Sequence, residues 1–337
     1  MRPLHFLLVW NIIIGYNKSI PIPEETMETL IHSLIQSLVQ ANFAPERIIP
    51  SAPMARYTTF RAGGPADVLV NINAPAEIAV ALRAAKAANV PVTLIGNGSN
   101  LLVRDGGIRG LVIRMGSDCS AIRREGDCIV AQAGALMSSV AQFALSEGLS
   151  GMAELAGIPG TLGGGVIMNA GAYGGELSQL VTRVESVSVA TGKPVVFEGD
   201  ELGFSYRHSA MMDADVIVTG VTLQLTPGDP AVIKARMDEC AKARRDKQPL
   251  NYPSAGSTFK RPTGLFAAKL IDDCGLRGLR IGDAQVSEKH AGFVVNLGSA
   301  TASDILALMD EVTRRVFEQT GVTLEPEVRI LGEDKKI

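Results

Sequence analysis

Gly157-Ile158-Pro159-Gly160-Thr161-Leu162-Gly163-Gly164-Gly165, continued by Val166 to Ala170 and Gly171-Ala172-Tyr173-Gly174-Gly175, is the stretch on which the reading of this chain turns. Glycine or proline fills nine of these nineteen positions. Glycine in regular structure costs roughly 0.5–1 kcal/mol, so so dense a run serves a backbone shape. The shape that accounts for it is a loop that approaches a phosphate-bearing ligand with its main chain. Plain turn chemistry is the blander alternative.

Upstream, a second glycine cluster, Ile95-Gly96-Asn97-Gly98-Ser99-Asn100-Leu101, follows a strand-like segment. Its glycines allow N–H groups to turn toward an anion such as a diphosphate. It is not a dinucleotide-binding fingerprint, because the third glycine of GxGxxG is missing and Leu101-Leu102-Val103 reads as strand rather than helix. No Walker A lysine motif occurs. A tight turn between strands is the alternative here.

Around these loops the chain alternates short helices and strands. Apolar residues at helical spacing predict a helix from Met27 to Gln40. Strands are predicted at Val68 to Ile72, Val92 to Ile95 and Leu111 to Arg114, with a helix from Pro75 to Ala88. A helix at Leu136 to Glu147 precedes the glycine run, and strands at Val184 through Val196 and at Val216 to Leu225 follow it, with only that one helix in this half. Pro227-Gly228-Asp229-Pro230 is the strongest linker signal. Beyond it come helices at Ala231 to Arg245, Gly264 to Cys274 and Ser303 to Thr320, the last capped by Thr301 or Ser303 and closed by Gly321, then a strand-like tail from Thr323 to Leu331. The fold class is α+β. The expected divisions are an extension at 1–26, units at 27–110 and 111–228, and a C-terminal α+β unit at 229–337.

With 337 residues, 46% hydrophobic and 20% charged, the chain can bury a large core. A formal net charge of -3 provides no basic field for nucleic acid. Cys119, Cys128, Cys240 and Cys274 form no CxxC pair and no Cys/His cluster, so neither a metal site nor a disulfide scaffold is expected. Leu4 to Gly15 is apolar apart from His5 and Asn11 and follows Arg2, like a signal-peptide core. It lacks a small-x-small cleavage site and is shorter than the roughly 18–20 residues of a membrane span. The expectation is an extension outside the fold, without stable membrane insertion, on a cytoplasmic protein.

Seven motifs in order carry a family resemblance: Tyr57-Thr58-Thr59-Phe60-Arg61-Ala62-Gly63-Gly64, Gly96 to Asn100, Gly157 to Gly164, Asn169-Ala170-Gly171-Ala172-Tyr173-Gly174, Tyr206-Arg207-His208-Ser209, Ala255-Gly256-Ser257-Thr258-Phe259-Lys260 and Glu325-Pro326-Glu327-Val328-Arg329. From about Arg56 to Gly332 the chain resembles the UDP-N-acetylenolpyruvoylglucosamine reductases. The resemblance implies an FAD-binding fold of the vanillyl-alcohol-oxidase/PCMH type with a C-terminal α+β substrate-binding domain. It implies FAD, NADPH as co-substrate, and a UDP-sugar as the small-molecule partner; non-covalent FAD is expected because Cys119 and Cys128 are the only histidines or cysteines between Tyr57 and Tyr173, and a monomer is expected. The short spacing from Arg207 to Lys247 and from Ser257 to Asp272 is similar to the family's short form, which lacks a long substrate loop and its tyrosine.

Carried over residue by residue, the resemblance implies catalytic roles for Arg207, Ser257 and Glu327. Cofactor contacts are implied at Thr59, Arg61 and Gly63, at Gly96, Asn97, Gly98, Ser99 and Asn100, at Gly157, Gly160, Thr161, Gly163 and Gly164, and at Asn169 and Gly171. Substrate contacts are implied at Tyr173, Lys247, Lys260 and His290. The chemistry suits these residue types: a guanidinium offers a fork of donors to a carboxylate. Glu327 beside a substrate carboxylate must be protonated or placed for proton traffic. Ser257, the family's proton donor, needs an activating neighbour, for which Lys260 and Lys247 are the candidates. Taken singly, Lys247 also reads as a solvated helix end and His290 as a loop residue. Another FAD oxidoreductase of the same fold, or a nucleotide-sugar-binding regulator without catalysis, are the competing functions. The joint presence of Arg207, Ser257 and Glu327 argues against the first of these.

Overall fold

The computed structural model describes residues 24–335. Two sheets make the larger part of the molecule. The first has the order Ile48–Pro53, Pro65–Ile72, Ile108–Met115, Val92–Ile95, with the last three strands parallel. Ile113 lies between Val70 and Leu94, and Leu111, Val112 and Ile113 are all buried. A continuous apolar run of this kind belongs to a strand covered on both faces. The second sheet is wholly antiparallel: Pro194–Glu198, Val181–Ser188, Val216–Gln224, Cys128–Gln132, Ile122–Glu125. In Cys128–Gln132 burial alternates, with Ile129 and Ala131 turned to the core, as one-sided burial requires.

The helices Glu24–Gln40, Pro75–Ala87 and Met137–Ser146 contribute to one core that joins both sheets. The C-terminal unit has its own core, built on the sheet Arg280–Ile281, Ala284–Val286, Val294–Asn296. Helix Ala302–Thr320 buries Ile305, Leu308, Met309, Val312 and Val316 against it, the spacing of a one-sided apolar stripe. A reciprocal Thr301–Asp304 capping box starts that helix, and Gly321 at φ 72° ends it. Phe60, Ala62 and Leu102 from the first part join this second core. The two parts are therefore packed together rather than tethered.

Several expectations shift. The first helix starts at Glu24, three residues before Met27, and residues 1–23 of the expected extension lie outside the described residues. The glycine run is not all loop: Leu162–Ile167 forms a short helix whose N-cap Thr161 accepts from the Gly164 N–H. Gly163 and Gly165 are needed there for packing, since an added Cβ would stand 2.7 Å from Ala133 Cβ and 3.0 Å from Leu177 Cδ1. Ile108–Met115 runs through the expected division at 110/111 as one strand of the first sheet. Helix Pro230–Lys247 packs on Met137–Ser146, so the chain enters its last unit after Lys247 rather than at 228/229. In the tail only Arg329–Leu331 is strand, paired in parallel with Leu101–Val103.

Candidate active site

The two glycine clusters touch each other. A Cβ on Gly96 would lie 2.4 Å from Thr161 Oγ1, and one on Gly160 would lie 2.9 Å from Ser99 Oγ. Gly98, at φ +64°, is closer still to its neighbour, with Tyr57 O 2.0 Å from the added Cβ. These glycines let three loops converge. The Gly98 carbonyl accepts from the Thr59 N–H at 3.1 Å. Among the described residues no group accepts the N–H of Asn97, Gly98, Ser99 or Asn100. Four successive free N–H groups form an anion cradle.

That cradle opens on a cavity of about 320 Å³, the size class of ligand pockets. Gly96, Asn97, Gly98, Ser99 and Asn100 line one wall, and Gly160, Thr161, Gly163, Gly164 and Gly171 another. Arg207, Ser257 and Glu327 line it as well. The C-terminal unit reaches the cavity through a short antiparallel contact. The Glu327 N–H donates to Thr258 O at 2.8 Å, the Lys260 N–H donates to Glu325 O at 2.8 Å, and Phe259 bridges Pro326. Asn100 then ties this pair to the first glycine cluster: its Nδ2 donates to Glu327 O at 3.1 Å, and its own carbonyl accepts from the Arg329 N–H at 2.9 Å.

Arg207 Nε donates to Glu327 Oε1 at 2.6 Å, with both side chains largely buried. Arg207 sits at the tip of a tight turn closed by Ser205 and His208, in the left-handed region at φ 57°, a conformation that costs a non-glycine residue about 1–3 kcal/mol. Asn169 holds that turn. It is buried, its Nδ2 donates to Ser205 O at 3.0 Å, and its Oδ1 accepts from the Ser178 N–H at 2.9 Å. Asn169 thus supports Arg207 instead of lining the cavity. The Ser257 side chain is exposed to the cavity and has no hydrogen-bond partner among the described residues.

A second recess, about 510 Å³, adjoins the first and shares Asn97, Pro159, Arg244, Gly256 and Phe293 with it. Thr59, Arg61 and Gly157 line this recess rather than the main cavity. Gly63, Tyr173, Lys247, Lys260 and His290 line neither. Gly63 packs on Val103, where a side chain would collide. Tyr173 is exposed on a small hairpin that carries Gly171–Ala172 and Gly175–Glu176. Lys247 is exposed at its helix end, and Lys260 Nζ lies 3.4 Å from Glu325. Neither lysine lines the cavity that Ser257 faces, and neither is hydrogen-bonded to Ser257 among the described residues. The His290 ring stands edge-on to Phe293 at 4.9 Å, one ring removed from the cavity, and burial pulls its pKa down.

Sequence reasoning missed Arg244, Arg329, Gln248 and Phe293, all on the cavity wall. Burial pulls the pKa of both Arg244 and Arg329 down, opposed by Tyr173 and Asp213 respectively, and neither guanidinium has a carboxylate within ion-pair distance among the described residues. Arg329 Nη2 instead meets the Met212 sulfur at 2.6 Å. Gln248 Oε1 and Thr59 Oγ1 are buried without partners among the described residues. Half-buried arginines without a carboxylate partner, orphaned polar atoms and a cradle of free N–H groups are what a bound dinucleotide would complete, so the residues present fit FAD.

Comparison with known proteins agrees with this geometry. An FAD-binding domain matches residues 66–198, and the C-terminal domain of UDP-N-acetylenolpyruvoylglucosamine reductase matches residues 248–331. The reductase of Pediococcus pentosaceus is 46% identical over 300 residues, covering 89% of this chain and 99% of its own. That of Agathobacter rectalis is 47% identical over 318 residues, covering 91% and 99%. The crystal structure of the Thermus caldophilus reductase, MurB, aligns with a TM-score of 0.72 at 38% identity, over 85% of this chain and 98% of that one. The architecture is an α+β fold in which an FAD-binding domain is followed by the C-terminal domain of these reductases. The chain belongs to the UDP-N-acetylenolpyruvoylglucosamine reductase family, flavin-dependent oxidoreductases that act on an enolpyruvyl C=C bond.

Proposed function

We propose that this protein uses NADPH to reduce UDP-N-acetylglucosamine enolpyruvate to UDP-N-acetylmuramate, a step of peptidoglycan precursor synthesis, in the cytoplasm and with non-covalent FAD. The observation that carries the reading is the meeting of Arg207, Ser257 and Glu327 on the cavity lined by both glycine clusters. The main-chain N–H groups of Asn97 to Asn100 and the walls at Gly160 to Gly164 would hold the FAD, which supplies the hydride. The Arg207 Nε is occupied by Glu327, so its two terminal nitrogens remain for the substrate carboxylate. They stabilise the negative charge that spreads onto that carboxylate as the double bond is reduced. Glu327 fixes the fork in place and offsets its charge. The Ser257 hydroxyl, free of internal hydrogen bonds, gives a proton to the second carbon.

The purified protein should be yellow, and its NADPH oxidation should depend on UDP-N-acetylglucosamine enolpyruvate. A colourless protein, or equal NADPH oxidation without that acceptor, overturns the reading. Ser257→Ala should leave flavin reduction by NADPH intact while slowing acceptor turnover by about 10²–10⁴-fold, the range for a general acid. Equal damage to both half-reactions removes Ser257 as the proton donor.

A further inference from the structure

Arg207 holds its place against a backbone cost, and the chain is fastened on each side of it. Before it, the Ser205 carbonyl accepts from Asn169 Nδ2 at 3.0 Å. After it, Ser209 is buried and its Oγ donates to Ile167 O at 2.9 Å, which ties the chain to the short helix Leu162–Ile167. His208 is the one residue between the strained Arg207, at φ 57°, and that second fixed point. Its main chain closes the turn: the His208 N–H donates to Ser205 O at 3.2 Å, and its carbonyl accepts from the Ser205 N–H at 3.0 Å. Its side chain has a partner of its own. His208 Nε2 and Asp213 Oδ2 are hydrogen-bonded at 2.8 Å. Asp213 ends the one-turn helix Ala210–Asp213, which is seated in the core by Met211. Neither His208 nor Asp213 lines the cavity or the recess beside it.

We propose that His208 is a positioning residue for the reduction: through its hydrogen bond to Asp213 it sets the direction in which Arg207 presents its two terminal nitrogens to the substrate carboxylate. A non-glycine residue stays in the left-handed region only where its surroundings over-determine it. With Ser205 and Ser209 fixed, the peptide between Arg207 and His208 is the freedom left to the turn, and the contact with Asp213 removes it. Glu327 holds Arg207 Nε at 2.6 Å, so a turn that shifted would either stretch that contact or swing the terminal nitrogens off their target. A catalytic group about 1 Å out of place can slow a reaction about 10²-fold. The contact with the carboxylate strengthens as negative charge spreads onto it, so the loss falls on reduction of the acceptor rather than on the flavin. The inference rests on the reductase reading for what Arg207 does, but not for the brace itself.

His208 and Asp213 are both partly exposed, so loss of either side chain is compatible with folding. Four quantities decide the matter in the flavin-loaded protein: flavin per chain, the rate of flavin reduction by NADPH, the limiting rate of reoxidation by UDP-N-acetylglucosamine enolpyruvate, and amide hydrogen exchange across residues 204–209. His208→Ala should keep its flavin and its reduction by NADPH within twofold of wild type. Its limiting rate of reoxidation should fall about tenfold, a part of the loss expected for a displaced catalytic group, and exchange across 204–209 should quicken. Asp213→Ala should do the same, and the double variant should be no slower than either single one, because both remove one contact. His208→Gln, whose side-chain amide can still donate to Asp213, should recover most of the rate. Lys234→Gln, which breaks an exposed pair with Asp238 on an outer helix, should change nothing. Reoxidation of His208→Ala within twofold of wild type overturns the proposal, as does unchanged exchange across 204–209. Equal slowing of both half-reactions, or single losses that multiply in the double variant, also overturns it. Failure of the reductase reading shows separately, as unsubstituted enzyme that the enolpyruvyl nucleotide does not reoxidise, and the exchange measurement still decides the brace.

Discussion

On the side of the two glycine clusters, residues 96–100 and 160–164 line the cavity and the N–H groups of Asn97 to Asn100 are without acceptors among the described residues, whereas from the C-terminal side Ser257 and Glu327 line it with functional side chains. The difference follows from what each must recognise. A diphosphate is met by rows of N–H groups, which any residue can supply provided the loops approach closely enough, and that approach requires glycine. A developing carboxylate charge and a proton transfer need particular functional groups at particular atoms. Damage to the two sides should therefore differ in kind. A glycine substitution displaces several loops together, while a side-chain substitution removes one group and leaves the cavity standing.

The strongest way to break this comparison is Gly98→Ala. The new methyl would meet Tyr57 O at 2.0 Å, at a φ of +64° that disfavours alanine, so loop 96–100 must move away from Tyr57 to Thr59. We expect loss of bound flavin and a stability loss of about 3 kcal/mol or more, read by visible absorbance and thermal unfolding. Gly164→Ala is the matched control, because its added Cβ meets only Thr161 Oγ1, at 3.4 Å. It should fold normally and weaken flavin retention only by crowding the cavity. Equal behaviour of the two variants would show that loop approach is not what the glycines provide.

Next in size is Glu327→Gln, which keeps the shape but removes the charge paired with Arg207 at 2.6 Å. The variant should hold a full complement of flavin and be reduced by NADPH at the wild-type rate. Reoxidation by the enolpyruvyl nucleotide should slow by about 10²-fold, the scale of a lost electrostatic contact in an active site, measured by stopped-flow absorbance. Flavin loss as severe as in Gly98→Ala would erase the distinction between the two sides.

The same distinction explains what could be read in the sequence. Strongly periodic segments such as Ala302–Thr320, with its Thr301 cap and Gly321 stop, were legible because local chemistry sets them. So was the strand after Gly96 to Asn100, which set this loop apart from a dinucleotide fingerprint. Leu162–Ile167 was not legible as helix, because its glycines answer to Ala133, Met137 and Leu177, which lie elsewhere in the chain. Arg244 was passed over for Lys247, its neighbour on the same helix. Choosing between them needs the rotation of that helix about Gly157, whose missing side chain leaves room for Arg244 Cδ at 3.3 Å. Asn169 was read as a cofactor contact, since nothing local reveals that it braces the turn carrying Arg207.

The smallest expected effect lies where the two sides are joined. Asp105, in the loop after Leu101–Val103, accepts from the Ala302 N–H, the Ser303 N–H and Ser303 Oγ at the start of the C-terminal helix. Burial works against its charge, but those hydrogen bonds prevail and hold its carboxyl below the ordinary value. The sign of the linkage follows. The stabilisation is complete above the unfolded carboxylate value of about 3.9 and is lost as pH falls through the lower folded one. Asp105→Asn offers a single acceptor oxygen to these donors and should lower stability at pH 7 by about 1–2 kcal/mol, the loss typical of a helix-cap change. Its flavin spectrum should be unaltered, since Asp105 lines neither cavity. The difference in Tm between wild type and variant should narrow as the pH falls below about 4, because protonation weakens the wild-type contact. A gap that stays constant to pH 3 would mean that the charge of Asp105 does not hold the two sides together.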